Sequence, residues 1–233
     1  MLIPIRDTDL ITADNLASMR EYYEYRRQGG GYIYNGTPFH QAVLESYPNI
    51  VLTSQSNVFV GILFEICLFK SIVNAVIVHI MNENGYQYSN NKHEYIRRSL
   101  ISKYFSHEMA IGKYDEGYNF LLMNNESGLR IDAKVYGTRI IGNSQSCSSY
   151  NLFVDQEQYN RHAADAYIQG FVINQINQLS FYVAGWKYRD ELIAFPNARN
   201  PAYGISVPNL NNINDLVTII YENNFNPAQY HPF

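Results

Sequence analysis

Charged side chains are scarce, with Asp, Glu, Lys and Arg making up 16% of 233 residues, against roughly 25% in an average globular domain. So few charges exclude a surface built on ion-pair networks. The polar surface must come from Asn, Gln, Ser and many of the 21 tyrosines. Disorder is excluded too, because it needs few aromatics and a high net charge, and here aromatics reach 15% with a net charge of −4. There is no basic excess to draw the whole molecule to nucleic acid, although a local basic groove would suffice for binding. Cysteine is also rare. Cys67 lies in an apolar run and Cys147 lies far from it, which argues against a disulfide scaffold and for an intracellular setting.

Other patterns are missing. The six histidines show no H-E-x-x-H and no Cys/His cluster of zinc spacing. There is no G-x-S-x-G and no G-x-x-x-x-G-K-[ST], which leaves serine hydrolase and P-loop NTPase chemistry without support. No internal repeat or low-complexity linker divides the chain, and its length suits one domain with an elaboration. The N-terminal "MLIPIRDTDL" lacks the basic start, apolar run and small-residue cleavage site of a signal peptide. Only Asn57–Ile80 is long and apolar enough to suggest a membrane span. It carries Glu65, Lys70 and Asn74, and each charge at mid-bilayer costs about 2.5–3.5 kcal/mol. The expectation is a helix buried in a core or a subunit interface, with no membrane partner.

The pattern that remains is helical first and strand-rich afterwards. A cap signal and helical spacing predict a helix over Asn15–Gln28, ended by the glycines of "GGGYIYNGTP". Residues 92–114 carry apolar positions at Ile96, Leu100, Tyr104, Met109 and Ile111, which predicts a helix broken near Ser106. Then come short β-rich runs, "YNFLLMN", "LRIDAKVYG", "AYIQGFVIN" and "SFYVAGWKY", bounded by turn residues. The first two are joined by a hairpin-type turn. Residues 151–164 read as a helix or an irregular link, and the tail is loop-rich with one helix near Ile213–Tyr221. The expected architecture is a mixed α/β domain with one central sheet flanked by helices. A helix-rich part, 1–90, serving dimerisation or DNA binding, would pack on a core with a C-terminal extension formed by 91–233.

Within "LRIDAKVYG", side chains alternate across the strand. Arg130, Asp132 and Lys134 share one face, and Leu129, Ile131, Ala133 and Val135 share the other. A carboxylate and a lysine held this way suit metal-dependent phosphodiester hydrolysis. The carboxylate can bind Mg²⁺, a hard cation that keeps waters and phosphate oxygens in its shell. The metal lowers the pKa of bound water, and the lysine can orient that water and stabilise charge. Asp-x-Lys alone is weak, since 21 acids give about half a match by chance. The ordinary alternative is a solvated strand face.

The surroundings favour the site. "FSHEMAIGKYDEGYNFLLMNNESGLRIDAKVYG" places Glu108 on a helix before the hairpin. Downstream, "AADAYIQGFVI" and "FYVAGWKYRDEL" bring Asp165, Tyr167, Gly185 and Trp186. Together these resemble the PD-(D/E)XK nuclease superfamily, the restriction-endonuclease-like fold, over about residues 95–195. The resemblance implies a Mg²⁺-dependent DNA endonuclease in which Mn²⁺ can substitute. Asp132, position 119 and the Ala133 carbonyl would hold the metal, Glu108 would bind the metal or its water, and Lys134 would position the nucleophile. It also implies double-stranded DNA as partner, with RNA left open, and a homodimer, because cutting both strands needs two sites. Arg26, Arg27, Arg97, Arg98 and Arg130 are candidate phosphate contacts.

One departure matters. Where the family places a second acid, this chain has Asn119. Three explanations stay open: an engineered Asp-to-Asn exchange, an acid supplied instead by Asp115 or Glu116, or loss of catalysis with binding kept. A nuclease-fold protein that binds nucleic acid or serves assembly is the alternative to the enzyme.

Overall fold

The computed structural model describes residues 1–4, 57–83, 85, 91, 93–96, 98, 105–107, 118–122, 128–175, 178–195 and 201–224. The helix expected over Asn15–Gln28 and its glycine loop lie outside them.

Asn57–Ile80 is a helix, α1, which continues to Glu83. Its apolar residues wrap nearly the whole circumference, and a helix of that kind must be covered on most sides. Leu63, Phe64, Ile66, Cys67, Leu68, Phe69, Ile72, Val73, Val76, Ile77, Ile80 and Met81 are buried. By length and composition Leu63–Glu83 could cross a membrane, yet most of it is packed inside the protein. Glu65 and Lys70 are half-buried, and Asn74 and Val78 face outward.

The sheet beneath α1 has six strands in the order β1-β7-β6-β4-β3-β2. These are β1 (Leu2–Pro4), β2 (Phe105–His107), β3 (Phe120–Leu122), β4 (Leu129–Ile141), β6 (Ala166–Gln175) and β7 (Gln178–Tyr188). β3 and β4 pair antiparallel, as the hairpin signal predicts, and so do β6 and β7. β4 and β6 run parallel, with Asp132 beside Tyr167 and Lys134 beside Gln169. Ile131, Ala133, Ala166, Ile168, Val172 and Phe181 face α1 in one core, together with Ile3 of β1. The described residues of the first 90 are therefore part of the same core as the sheet.

Gly170 shows how tightly α1 lies on the sheet. A Cβ there would come within 2.3 Å of the Phe64 ring. That ring is held edge-on against Phe181, 5.2 Å between centroids. Gly170→Ala is expected to cost about 1–3 kcal/mol by overpacking, read as a lower denaturation midpoint at unchanged denaturant slope. Beside α1, and touching β7 as well, packs α3 (Ile213–Asn224), through Leu216 and Ile220 and a His79–Tyr221 ring contact at 4.6 Å.

Two expectations are corrected. The helical stretch predicted over 92–114 with a break near Ser106 holds a strand at that break: β2 pairs antiparallel with β3, Ser106 opposite Leu121. Backbone pairing along the open edge of β3 outweighs the helical spacing of the surrounding apolar residues.

The second correction concerns the sheet count. A second sheet, β5-β9-β8, stands beside the first, built from β5 (Asn151–Asp155), β8 (Ile193–Phe195) and β9 (Ala202–Ser206). Parallel strands such as β4 and β6 need a long crossover, usually a helix. Here the crossover holds β5 and a five-residue helix, α2 (Gln156–Asn160). Leu152 and Val154 of β5 pack with Tyr118, Ala164, Tyr167 and Leu192, and Tyr167 stands beside Asp132. The crossover thus covers the face of β4 that the sequence left for solvent.

Candidate active site

Asp132 and Lys134 share a face of β4, and Lys134 Nζ lies 2.6 Å from Asp132 Oδ2. The face is only partly wet. Asp132 is only 4% exposed, whereas the Lys134 side chain keeps 30%. Burying one end of an ion pair and wetting the other makes the carboxylate depend on its partners, because a buried charge without them is costly. A second donor reaches the same oxygen: Gln158 of α2 gives Nε2–H to Asp132 Oδ2 at 2.5 Å.

Asn119 lies just before β3, buried at 2% exposure. Its N–H donates to the Ile131 carbonyl at 2.9 Å, and its Oδ1 accepts the Ala133 N–H at 2.6 Å. It therefore caps a β4 amide where the β3 ladder ends, the kind of satisfaction a buried N–H requires. The same contact seats position 119 against the backbone between Asp132 and Lys134, where the resemblance requires an acid.

Tyr167 is fully buried on β6 beside Asp132. Its hydroxyl is the buried side-chain polar atom left without a hydrogen-bond partner among the described residues. Burial, with the Asp132 charge second, raises its pKa well above the ordinary phenol value, against a smaller opposing effect of Arg189.

Arg130, a candidate phosphate contact, pairs its guanidinium with Asp165 and keeps about a third of its side chain exposed. Nη2 lies 2.8 Å from Oδ1 and Nε 3.1 Å from Oδ2, and the Arg130 N–H adds a third bond at 2.9 Å. Asp165 also exchanges backbone bonds with Arg130 and Arg189, so it ties the starts of β4 and β6 to the end of β7. Burial alone would raise the Asp165 carboxyl, but the bonds and charge of Arg130, with Arg189 behind, outweigh it and hold the pKa below the usual range.

A depressed folded pKa contributes stability that is present above the unfolded value near 3.9 and is lost as pH falls through the folded pKa. Both side chains are about a third exposed. Asp165→Asn is therefore expected to cost only about 1–2 kcal/mol at neutral pH. It should also flatten the fall of stability below about pH 4 in acid titrations followed by circular dichroism.

Arg98 is exposed and paired with Glu94 at 2.7 Å. Glu108, Asp115, Glu116, Arg26, Arg27 and Arg97 lie outside the described residues. Among the described residues no three His, Cys, Asp or Glu side chains cluster to hold a metal. The oxygen ligands on offer at this junction are the Asp132 carboxylate, which meets Lys134 and Gln158, and the Asn119 amide oxygen, which meets the Ala133 N–H. Mg²⁺ is commonly held by one or two carboxylates with waters and phosphate oxygens, so this set fits a weak site with a single charge. Gln158 is the site residue that sequence reasoning missed. The available signal was Asp155 three residues ahead, an N-cap spacing; its side chain accepts the Gln158 N–H at 2.8 Å.

No family model matches the chain, and no curated protein matches it.

Proposed function

We propose that this protein acts on DNA as a divalent-metal-dependent phosphodiesterase of restriction-endonuclease-like fold, with Asp132, Lys134 and position 119 as its centre. The observation that carries this reading is the junction of β3 and β4. Asn119 bonds the backbone of Ala133 at 2.6 Å, between the ion-paired Asp132 and Lys134.

In this reading Asp132 and the oxygens of Asn119 and Ala133 bind Mg²⁺, or Mn²⁺ in its place. When bound, the metal supplies a water of lowered pKa and polarises the phosphate. Lys134 leaves its contact with Asp132 far enough to orient the nucleophile and meet charge on the phosphate. Its 30% exposure gives it the freedom that Asp132 lacks. Double-stranded DNA is the proposed substrate and a homodimer the working unit, one site per strand.

Asn119 favours a second reading, binding without turnover. A neutral amide is a poorer ligand than a carboxylate for a hard cation, and its oxygen already serves the Ala133 N–H. Plasmid DNA incubated with the chain in Mg²⁺, with EDTA as control, tests both. Metal-dependent nicking or linearisation supports the enzyme. A gel shift without cleavage supports the binder, and the absence of both cleavage and shift would remove nucleic acid from the account.

A further inference from the structure

The structure assigns to Gln158 the part of a positioning residue for the metal site at Asp132, a proposal that rests on the reading above. Three features carry it. Gln158 Nε2 donates to Asp132 Oδ2 at 2.5 Å, the oxygen that Lys134 also approaches at 2.6 Å. Two donors on one oxygen fix the torsion of a carboxylate that is almost wholly buried, so its orientation is set before any ion arrives. Hydrogen bonds that orient a first ligand are worth 10–100-fold in metal affinity in comparable sites.

The second feature is how Gln158 itself is held. α2 is a single five-residue turn, too short to be stable alone, so other contacts must fix it. The Gln158 N–H is capped by Asp155 Oδ1 at 2.8 Å, and the Gln156 N–H bonds the Pro201 carbonyl at 3.1 Å.

The third is the neighbouring ring. Tyr159 stacks flat on Tyr203 of β9, 3.6 Å between centroids and 5° between planes. The Arg189 guanidinium lies 5.6 Å from the Tyr159 centroid, a cation–π distance. The second sheet and the end of β7 therefore clamp α2, and α2 aims one amide at the carboxylate. This gives the small sheet a purpose beyond covering the face: it preorganises a ligand, which needs rigid support behind it.

The test uses the Asn119→Asp protein, which should bind Mn²⁺ more tightly than the amide at this position allows, and adds Gln158→Leu or Gln158→Met. Isothermal titration with Mn²⁺ gives affinity and stoichiometry together. The expected result is a 10–100-fold weaker dissociation constant for both double variants. One ion per chain should still bind at saturation, and the melting temperature in EDTA should stay cooperative. Met keeps the length of Gln without its donor and without adding a charge, so a loss shared by Leu and Met points to the hydrogen bond rather than to packing. A fall in stoichiometry at unchanged affinity would mean that the substitution only unfolds a fraction of the protein, and would overturn the proposal. Unchanged affinity would overturn it while leaving the metal site intact. If Asn119→Asp alone takes up no Mn²⁺, the metal reading fails and this inference falls with it.

Discussion

Asn119→Asp is expected to raise Mg²⁺-dependent DNA cleavage by at least about 100-fold, because stronger metal binding at a transition state is worth several kcal/mol and each 1.4 is tenfold. Position 119 already touches the backbone at Ala133. A carboxylate oxygen can accept that N–H as well as the amide does, so the fold need not change. The exchange replaces the NH₂ group, which repels a cation, with a second oxygen that attracts one. Without metal it sets a new negative charge near the buried Asp132, and like charges at close range raise carboxylate pKa values and cost stability. The variant should therefore melt lower than the parent in EDTA and recover in Mg²⁺ or Mn²⁺, which thermal denaturation reads directly. Equal melting in the two conditions, with no gain in cleavage, would move the missing acid to Asp115 or Glu116.

Lys134→Met should be the most damaging exchange on the polar face of β4, costing about 2–4 kcal/mol. The two ends of the ion pair differ in what their loss leaves behind. Removing the lysine strands a carboxylate whose side chain is 6% exposed, with Gln158 as a remaining donor. Removing the charge at Asp132 leaves a lysine with 30% of its side chain already in water, which can solvate its own ammonium. Asp132→Asn is thus expected to cost less than half as much in urea denaturation, and Lys134→Met and Asp132→Asn should both abolish cleavage. If Asp132→Asn proved the costlier, the pair would be a structural brace of the sheet rather than a site held at some expense to stability.

The core was legible in the sequence where periodicity runs long. α1 shows it as a nearly unbroken apolar run, and β4, β6 and β7 show it as alternating or β-rich segments of nine residues or so. The chemistry of Asp132 and Lys134 was legible because a period of two puts them on one side. What the period cannot say is whether a polar face meets water. Here the β4-to-β6 crossover folds over it, so Asp132 is buried although its strand reads as half-wet. β8 and β9 span three and five residues, too few to show alternation within a segment rich in Asn and Pro. Gln158 reaches Asp132 across 26 positions, a contact set by tertiary pairing of β4, β6 and β9 rather than by any local spacing. β2 falls where the helical pattern of 92–114 breaks near Ser106, and the partner that makes it a strand, β3, comes fifteen residues later.

Anomalous diffraction from crystals of the Asn119→Asp protein soaked in Mn²⁺ tests the central claim most directly. The account predicts one peak per chain, bridging the carboxylates at positions 119 and 132 at ligand distances of about 2.0–2.6 Å, and its disappearance when Asp132→Asn is added. A peak that survives the loss of Asp132, or no peak near β4 at all, would contradict a metal site at this junction.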